Sequence, residues 1–115
     1  MTNKAREENG LSALIYNKDI QAAADLRAKE ISTKFSHTRP DGSSCHTVVE
    51  NYDYRVTGEN LIMADNPLSE PEILLDTWMN SEGHRANILL PDFTSIAIGL
   101  YEKDDITYVT QIFIG

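Results

Sequence analysis

The spacing of apolar residues changes along this chain, and that change constrains the fold more than any other feature. Ile20, Ala23, Ala24, Arg27, Ala28 and Ile31 recur at helical spacing with polar residues between them, and Asp19 stands where a helix start takes a side-chain cap. From Ile96 onward the period shortens to two. Ile96, Ile98 and Leu100 alternate, then Tyr108 or Val109 with Ile112 or Phe113, across a Lys103-Asp104-Asp105 turn. Two alternating runs about a short polar turn predict an antiparallel hairpin. Helices first and strands last, without a regular strand-helix-strand rhythm, predict an α+β domain.

Between these ends the chain is punctuated. Asn3 to Glu8 reads as a short helix stopped by Gly10, with Leu11, Leu14 and Ile15 then packing inward. Thr38-Arg39-Pro40-Asp41-Gly42-Ser43-Ser44 is turn chemistry, since Pro and Gly fix the dihedral extremes of a tight reversal, and it places His37 at a helix-to-loop exit. A brief helical turn is expected over His46–Tyr52 and a short, mostly buried strand over Gly58–Ala64. Ser69-Glu70-Pro71-Glu72 is a capping box with Pro in the first turn, opening a helix with Ile73, Leu74, Thr77 and Trp78 on one face. Gly83 is expected to end that helix with His84 just beyond it, and a further turn through Arg85 to Leu89 stops at Pro91.

Length and charge set the bounds. With 115 residues, 41% hydrophobic and 24% charged, the chain has enough for one packed core and too much apolar content for disorder. Eighteen acids against ten bases give a formal charge of −8 with no basic cluster, which disfavours nucleic acid and anionic lipid as partners. The longest apolar runs fall far short of the roughly 20 residues of a membrane helix. The one cysteine, Cys45, has no intramolecular partner, so stability rests on packing. Met1-Thr2-Asn3-Lys4 is not a basic and apolar leader, which leaves an intracellular protein or one whose leader has been removed.

The chemistry concentrates in three segments: Phe35-Ser36-His37, Gly58-Glu59-Asn60 and Gly83-His84-Arg85-Ala86-Asn87-Ile88-Leu89. If the fold gathers His37, Glu59 and His84, two neutral imidazoles and a carboxylate suit Zn²⁺ or a similar borderline cation. Their separations match no local ligand-spacing rule, and the plainer account of each is a hydrogen-bonded residue at a loop end. Ser36 and Ser81 sit where helix ends take small polar caps, without a nucleophile elbow. Cys45-His46 reads as a chance neighbour pair, because adjacent residues seldom point at one another. Trp78 follows Leu74 at helical spacing and reads as core, and Arg85 as a bridge to a carboxylate or to backbone carbonyls.

Taken together, Phe35-Ser36-His37, Gly58-Glu59-Asn60, Trp78 with Ser81-Glu82-Gly83-His84-Arg85-Ala86-Asn87-Ile88-Leu89, and Tyr108-Val109-Thr110-Gln111-Ile112-Phe113 resemble, in order and over nearly the whole chain, the bacterial branch of the CAP or SCP superfamily. That superfamily includes cysteine-rich secretory proteins, venom antigens and plant pathogenesis-related proteins. The resemblance implies that residues 1–115 form a single CAP/SCP-like domain, an α-β-α sandwich with a small, mainly antiparallel sheet between helical layers and a polar cleft. It implies a cleft of His37, Glu59, Ser81 and His84, with His37, His84 and Glu59 as ligands of a low-affinity Zn²⁺ or other divalent cation. Many eukaryotic relatives carry an acid where this chain has Ser81. Glu82 does not simply replace it, because one residue along a helix turns a side chain by about 100°.

What the resemblance implies for function is a secreted or surface-attached binding module, monomeric, whose partner is a cell-envelope component, a host component or a small apolar ligand. A metal-assisted hydrolase with Glu59 as general base stays open beside it. So does a purely structural cleft, with partner binding on the loops between His37 and Gly58.

Overall fold

The protein is described here from a computed structural model covering residues 2–65 and 70–115. In chain order the elements are α1 (Thr2–Glu8), β1 (Ile15–Tyr16), α2 (Gln21–Ile31), β2 (Thr57–Asp65), α3 (Pro71–Met79), α4 (Glu82–Ile88), β3 (Ser95–Lys103) and β4 (Ile106–Ile114). The strands form a mixed sheet in the order β1-β3-β4-β2. β3 and β4 are the expected hairpin, in register from Lys103↔Ile106 to Ser95↔Ile114. The connecting residues Asp104 and Asp105 have φ of 55° and 64°, the left-handed pair that a two-residue turn matching the strand twist requires. β2 lies antiparallel on the other side of β4, and the two residues of β1 extend β3 in parallel.

β4 is central, and every residue from Thr107 to Ile114 is buried. Alternation divides it between two cores. Ile112 and Ile114 join Ile20, Ala23, Ala24, Val49 and Ala97 under α2. Val109 and Phe113 join Leu74, Trp78, Ile88, Phe93 and Ile96 under the remaining helices, where the rings of Phe93 and Phe113 stack with centroids 5.1 Å apart. The α2 side is close because its residues are small. A Cβ on Gly99 would collide with the backbone carbonyl of Ala24, so glycine is what lets α2 lie directly on β3. The result is the α+β sandwich with a helical layer on each side of the sheet.

Local expectations fail where a terminus or an edge was misread. A 3-10 turn at Lys18–Ile20 precedes α2, and its cap is Asn17, whose side chain accepts from the Asp19 amide, not Asp19 itself. Ile15 does not pack inward. It lies on the short edge strand at 73% exposure, while Leu14 is buried and Leu11 half-buried. In α3 the buried residues are Leu74 and Trp78, with Leu75 and Met79 partly buried beside them, and Ile73 and Thr77 face solvent. Ser69 of the capping box lies outside the described residues, while Pro71 opens the helix as expected. Gly83 does not end this helix. The break comes at Asn80 and at Ser81, whose φ of −107° and ψ of 121° are extended, so Gly83 and His84 both fall within α4.

Candidate functional site

The site is organised by an arginine. Arg27 lies on the buried face of α2 with its side chain fully inaccessible, a position a guanidinium occupies only when its charge is matched. Its match is Glu59, which the β2 register puts beside Ile112 on the sheet face that α2 covers. Arg27 Nε donates to Glu59 Oε2 at 2.7 Å and Nη2 to Oε1 at 2.9 Å, a bidentate pair. Two further Arg27 donors go to Glu30 at 2.9 Å and to the Ser36 carbonyl at 2.8 Å. Burial alone opposes the guanidinium charge, but the bonds to Glu59 and Glu30 outweigh it and raise the pKa of Arg27. Glu30 passes the chain on to Arg39 at 2.7 Å. Burial again works against its charge, yet Arg39 and Arg27 hold its carboxyl below the ordinary range.

His37 stands at the exposed end of this ionic chain. Its Nδ1 is 3.0 Å from Glu59 Oε1, and its side chain is 60% exposed. An ionised carboxylate only accepts, so the network assigns the hydrogen to Nδ1 and leaves the Nε2 lone pair free to meet a ligand.

His84 is held differently. It lies in the first turn of α4, and its Nδ1 is 2.8 Å from the hydroxyl of Ser81, the N-cap residue. Ser81 makes no side-chain capping bond, because its hydroxyl turns to the imidazole instead. Two amides dock α4 on the sheet. Asn60 Nδ2 donates to the His84 carbonyl at 3.1 Å, while Asn87 Nδ2 donates to Asn60 Oδ1 at 3.0 Å and to the Glu59 carbonyl at 3.2 Å. Asn60 continues to Gln111, and Gln111 to Thr2, as a buried row across the sheet. Burial holds the His84 pKa below its ordinary 6.5, and repulsion from His37 adds to the effect.

Beside His37 opens a cleft of about 480 Å³ lined by His37, Thr38, Ser44, Cys45, His46 and Glu59, with Asn87, Thr57 and Gly58. Gly58 carries no side chain here because a Cβ would come within 2.7 Å of the Phe93 ring. Among the described residues, the ligating atoms of His37, Cys45 and Glu59 all lie within 4.8 Å of one another, a group that does not include His84.

Other sequence readings fare unevenly. Ser36 forms a local turn, its hydroxyl accepting from the Thr38 amide. Cys45 and His46 do touch, with Sγ 3.7 Å from Nδ1, contrary to the expectation for chain neighbours. The contact does not make a nucleophile, because burial, with the Glu59 charge adding, pushes the thiol up to about 11. Arg85 is exposed and makes no ion pair among the described residues, so it is not the expected bridge. Trp78 is core, and its indole donates to the Leu61 carbonyl at 3.1 Å.

Sequence reasoning missed Arg27 and Asn87 as parts of the site. Arg27 carried a signal: a charge at a buried helical position calls for an opposite charge from elsewhere in the fold. Asn87 carried a weaker one, lying one turn beyond His84 on the same face of α4.

His37, Cys45 and Glu59 offer nitrogen, sulfur and oxygen donors of the kinds a borderline cation takes, with the carboxylate already paired with arginine.

The same architecture and residue order recur in known proteins. Residues 1–113 match the CAP family, the cysteine-rich secretory protein family. The uncharacterized protein YkwD of Bacillus subtilis is 34% identical over all of this chain, which spans 44% of that protein. An extracellular protein of Bacillus anthracis containing an SCP domain superposes with a TM-score of 0.86 at 29% identity, over 98% of this chain and 37% of that one. NaASP2, whose structure was determined with Zn²⁺, shares the fold at a TM-score of 0.60 and 13% identity, over 90% of this chain and 60% of that one. The chain thus spans less than half the length of the two bacterial proteins. With the family matched across nearly every residue, this chain belongs to the CAP family of cysteine-rich secretory proteins.

Proposed function

We propose that this chain is a secreted CAP domain that works as a binding module, with a weak divalent-cation site at its polar cleft in which His37 and His84 are the ligands. The observation that carries the reading is the common setting of the two imidazoles. Each is bonded at Nδ1, to Glu59 and to Ser81 respectively, which leaves Nε2 as the ring nitrogen for a ligand, as in metal-binding histidines with an outer-shell partner. Glu59 acts here through His37. Both of its oxygens already accept from Arg27 and its side chain is only 4% exposed, which gives no support to a hydrolase using it as general base. The extracellular relative from Bacillus anthracis supports the location, and the Zn²⁺ of NaASP2 supports the choice of ion. No helix among the described residues is long and apolar enough to cross a membrane.

A small apolar partner also has a place in this reading. A separate groove of about 230 Å³ is lined by Leu74, Leu75, Trp78, Ile98, Leu100 and Val109 together with Thr2, Pro71 and Gln111.

The test is calorimetric titration of metal-stripped protein with Zn²⁺ at neutral pH, beside His37→Ala and His84→Ala. The reading expects saturable one-to-one binding that each variant weakens by at least about tenfold. Binding that neither variant changes, or no binding at all, would contradict it.

A further inference from the structure

The cleft contains a second set of donors that the imidazole pair does not use. His37 and Cys45 face one another because the loop between them closes on itself. The Cys45 amide donates to the His37 carbonyl at 2.8 Å, Thr38 and Ser44 form an isolated bridge, and the Arg39 amide donates to the Ser43 carbonyl at 2.7 Å. Glu59 approaches from β2, fixed by Arg27. An imidazole nitrogen, a thiol and a carboxylate thus converge within 4.8 Å at a cleft wall, two of the three residues buried.

We infer that His37 Nδ1, Cys45 Sγ and the Glu59 carboxylate form a second, inner cation site that takes a thiophilic divalent ion. In a filled tetrahedral site with bonds of about 2.0 to 2.3 Å, ligand atoms stand roughly 3 to 4 Å apart, so closure takes about an ångström. The Nδ1 to Oε1 separation is already 3.0 Å, and the exposed His37 ring has room to adjust. The donor set selects against Mg²⁺ and Ca²⁺, which prefer oxygen, and its sulfur favours the softer Cd²⁺ over Zn²⁺. Arg27 opposes the ion electrostatically, but a carboxylate has about four lone-pair sites and the bidentate bond uses two.

The proton balance couples the inner site to the outer one. As the ion binds, Cys45 releases its S–H proton to solvent and forms the metal–sulfur bond. His37 loses its Nδ1 proton, gains a metal–nitrogen bond and takes a proton on Nε2, so one net proton leaves per ion. With Nε2 protonated, His37 no longer offers that nitrogen beside His84. The inner and outer sites exclude one another through a single imidazole. The inner site itself stands apart from the imidazole-pair reading, because its ligands omit His84, while the mutual exclusion rests on that reading.

The test is titration of metal-stripped, reduced protein with Cd²⁺, followed by near-ultraviolet thiolate-to-metal charge-transfer absorption, beside Cys45→Ser and His84→Ala. The expected result is a saturable one-to-one band in the wild type. It persists in His84→Ala with an affinity unchanged within about threefold and is absent in Cys45→Ser, whose folding is checked by its thermal transition. Saturable Cd²⁺ binding without the band in the wild type, a result that depends on no variant, would overturn the inference while leaving the imidazole pair intact. A band abolished by His84→Ala would overturn it as well, by placing thiolate and His84 around one ion. No saturable binding would overturn both readings.

Discussion

The two histidines of the cleft occupy matching roles in opposite surroundings. His37 rests on a buried ionic chain that runs from Glu59 through Arg27 and Glu30 to Arg39 and ties β2 to α2 and to the following loop. His84 rests on one neutral hydroxyl three residues away, and its helix is held to the sheet by amides. One half is an expensive electrostatic arrangement that collapses if a member is lost. The other is a neutral arrangement in which each member contributes a modest amount. The contrast explains how a cleft can present two imidazoles without accumulating negative charge, since the one buried carboxylate among them is already matched by arginine.

The sharpest way to break this comparison is Arg27→Met. It strands Glu59 with its side chain only 4% exposed, and a broken buried pair costs about 3 to 5 kcal/mol. Urea unfolding of Arg27→Met should show that loss, and adding Glu59→Gln should return part of it by removing the orphaned charge. A loss no larger than that of a neutral hydrogen bond would mean the two halves are built alike.

On the other half, Asn87→Ala leaves Asn60 Oδ1 and the Glu59 carbonyl without the Nδ2 donor. The expected cost is about 1 to 3 kcal/mol in the same unfolding experiment. A cost matching that of Arg27→Met would erase the distinction.

A smaller effect follows from the lowered pKa of His84. The unfolded chain takes up the imidazole proton before the folded one does. This contribution to stability is therefore complete above the ordinary value of 6.5 and is lost as pH falls through the lowered folded value. Thermal melting of metal-free protein across that window should show the loss, and His84→Gln should remove it. Ser81→Asp sharpens the point by reversing the sign. An acid beside Nδ1 favours the charged ring, so stability is gained on acidification through the imidazole range, and Zn²⁺ binding should tighten by roughly tenfold. An unchanged pH slope in Ser81→Asp would show that Ser81 does not govern His84.

Much of the framework was legible because period and turn chemistry are local properties. The expected face is buried, with Ile20 at the entry to α2 and Ala23 to Ile31 within it, and the hairpin closes at Asp104-Asp105 as the alternation implied. Boundaries decided by competing local signals were less legible. Gly83 resembles a helix stop, yet the extended backbone at Ser81 had already restarted the helix, and a Cβ at Gly83 would meet nothing within 4 Å. The sequence pattern places Ile73 and Thr77 on one face with Leu74 and Trp78, but the apolar side of α3 is centred on Leu74 and Trp78 and leaves the other two exposed. At the site, the residue types were readable and their partners were not. Nothing within α2 announces that Arg27 will meet Glu59 thirty-two residues later, and nothing in Cys45-His46 announces that the thiol lies beside His37 and Glu59. Those pairings exist only once β2 lies against β4 and α2 crosses the sheet.

The most direct measurement on this account is the protonation state of the two imidazoles, read by two-bond nitrogen–proton NMR correlation above the imidazole titration range, before and after addition of Zn²⁺. Metal-free protein should show His37 with its hydrogen on Nδ1, as the Glu59 bond requires, and Zn²⁺ should shift the Nε2 resonances of both His37 and His84. A metal-free His37 with its hydrogen on Nε2, or Zn²⁺ that moves neither ring, would contradict the account at its foundation.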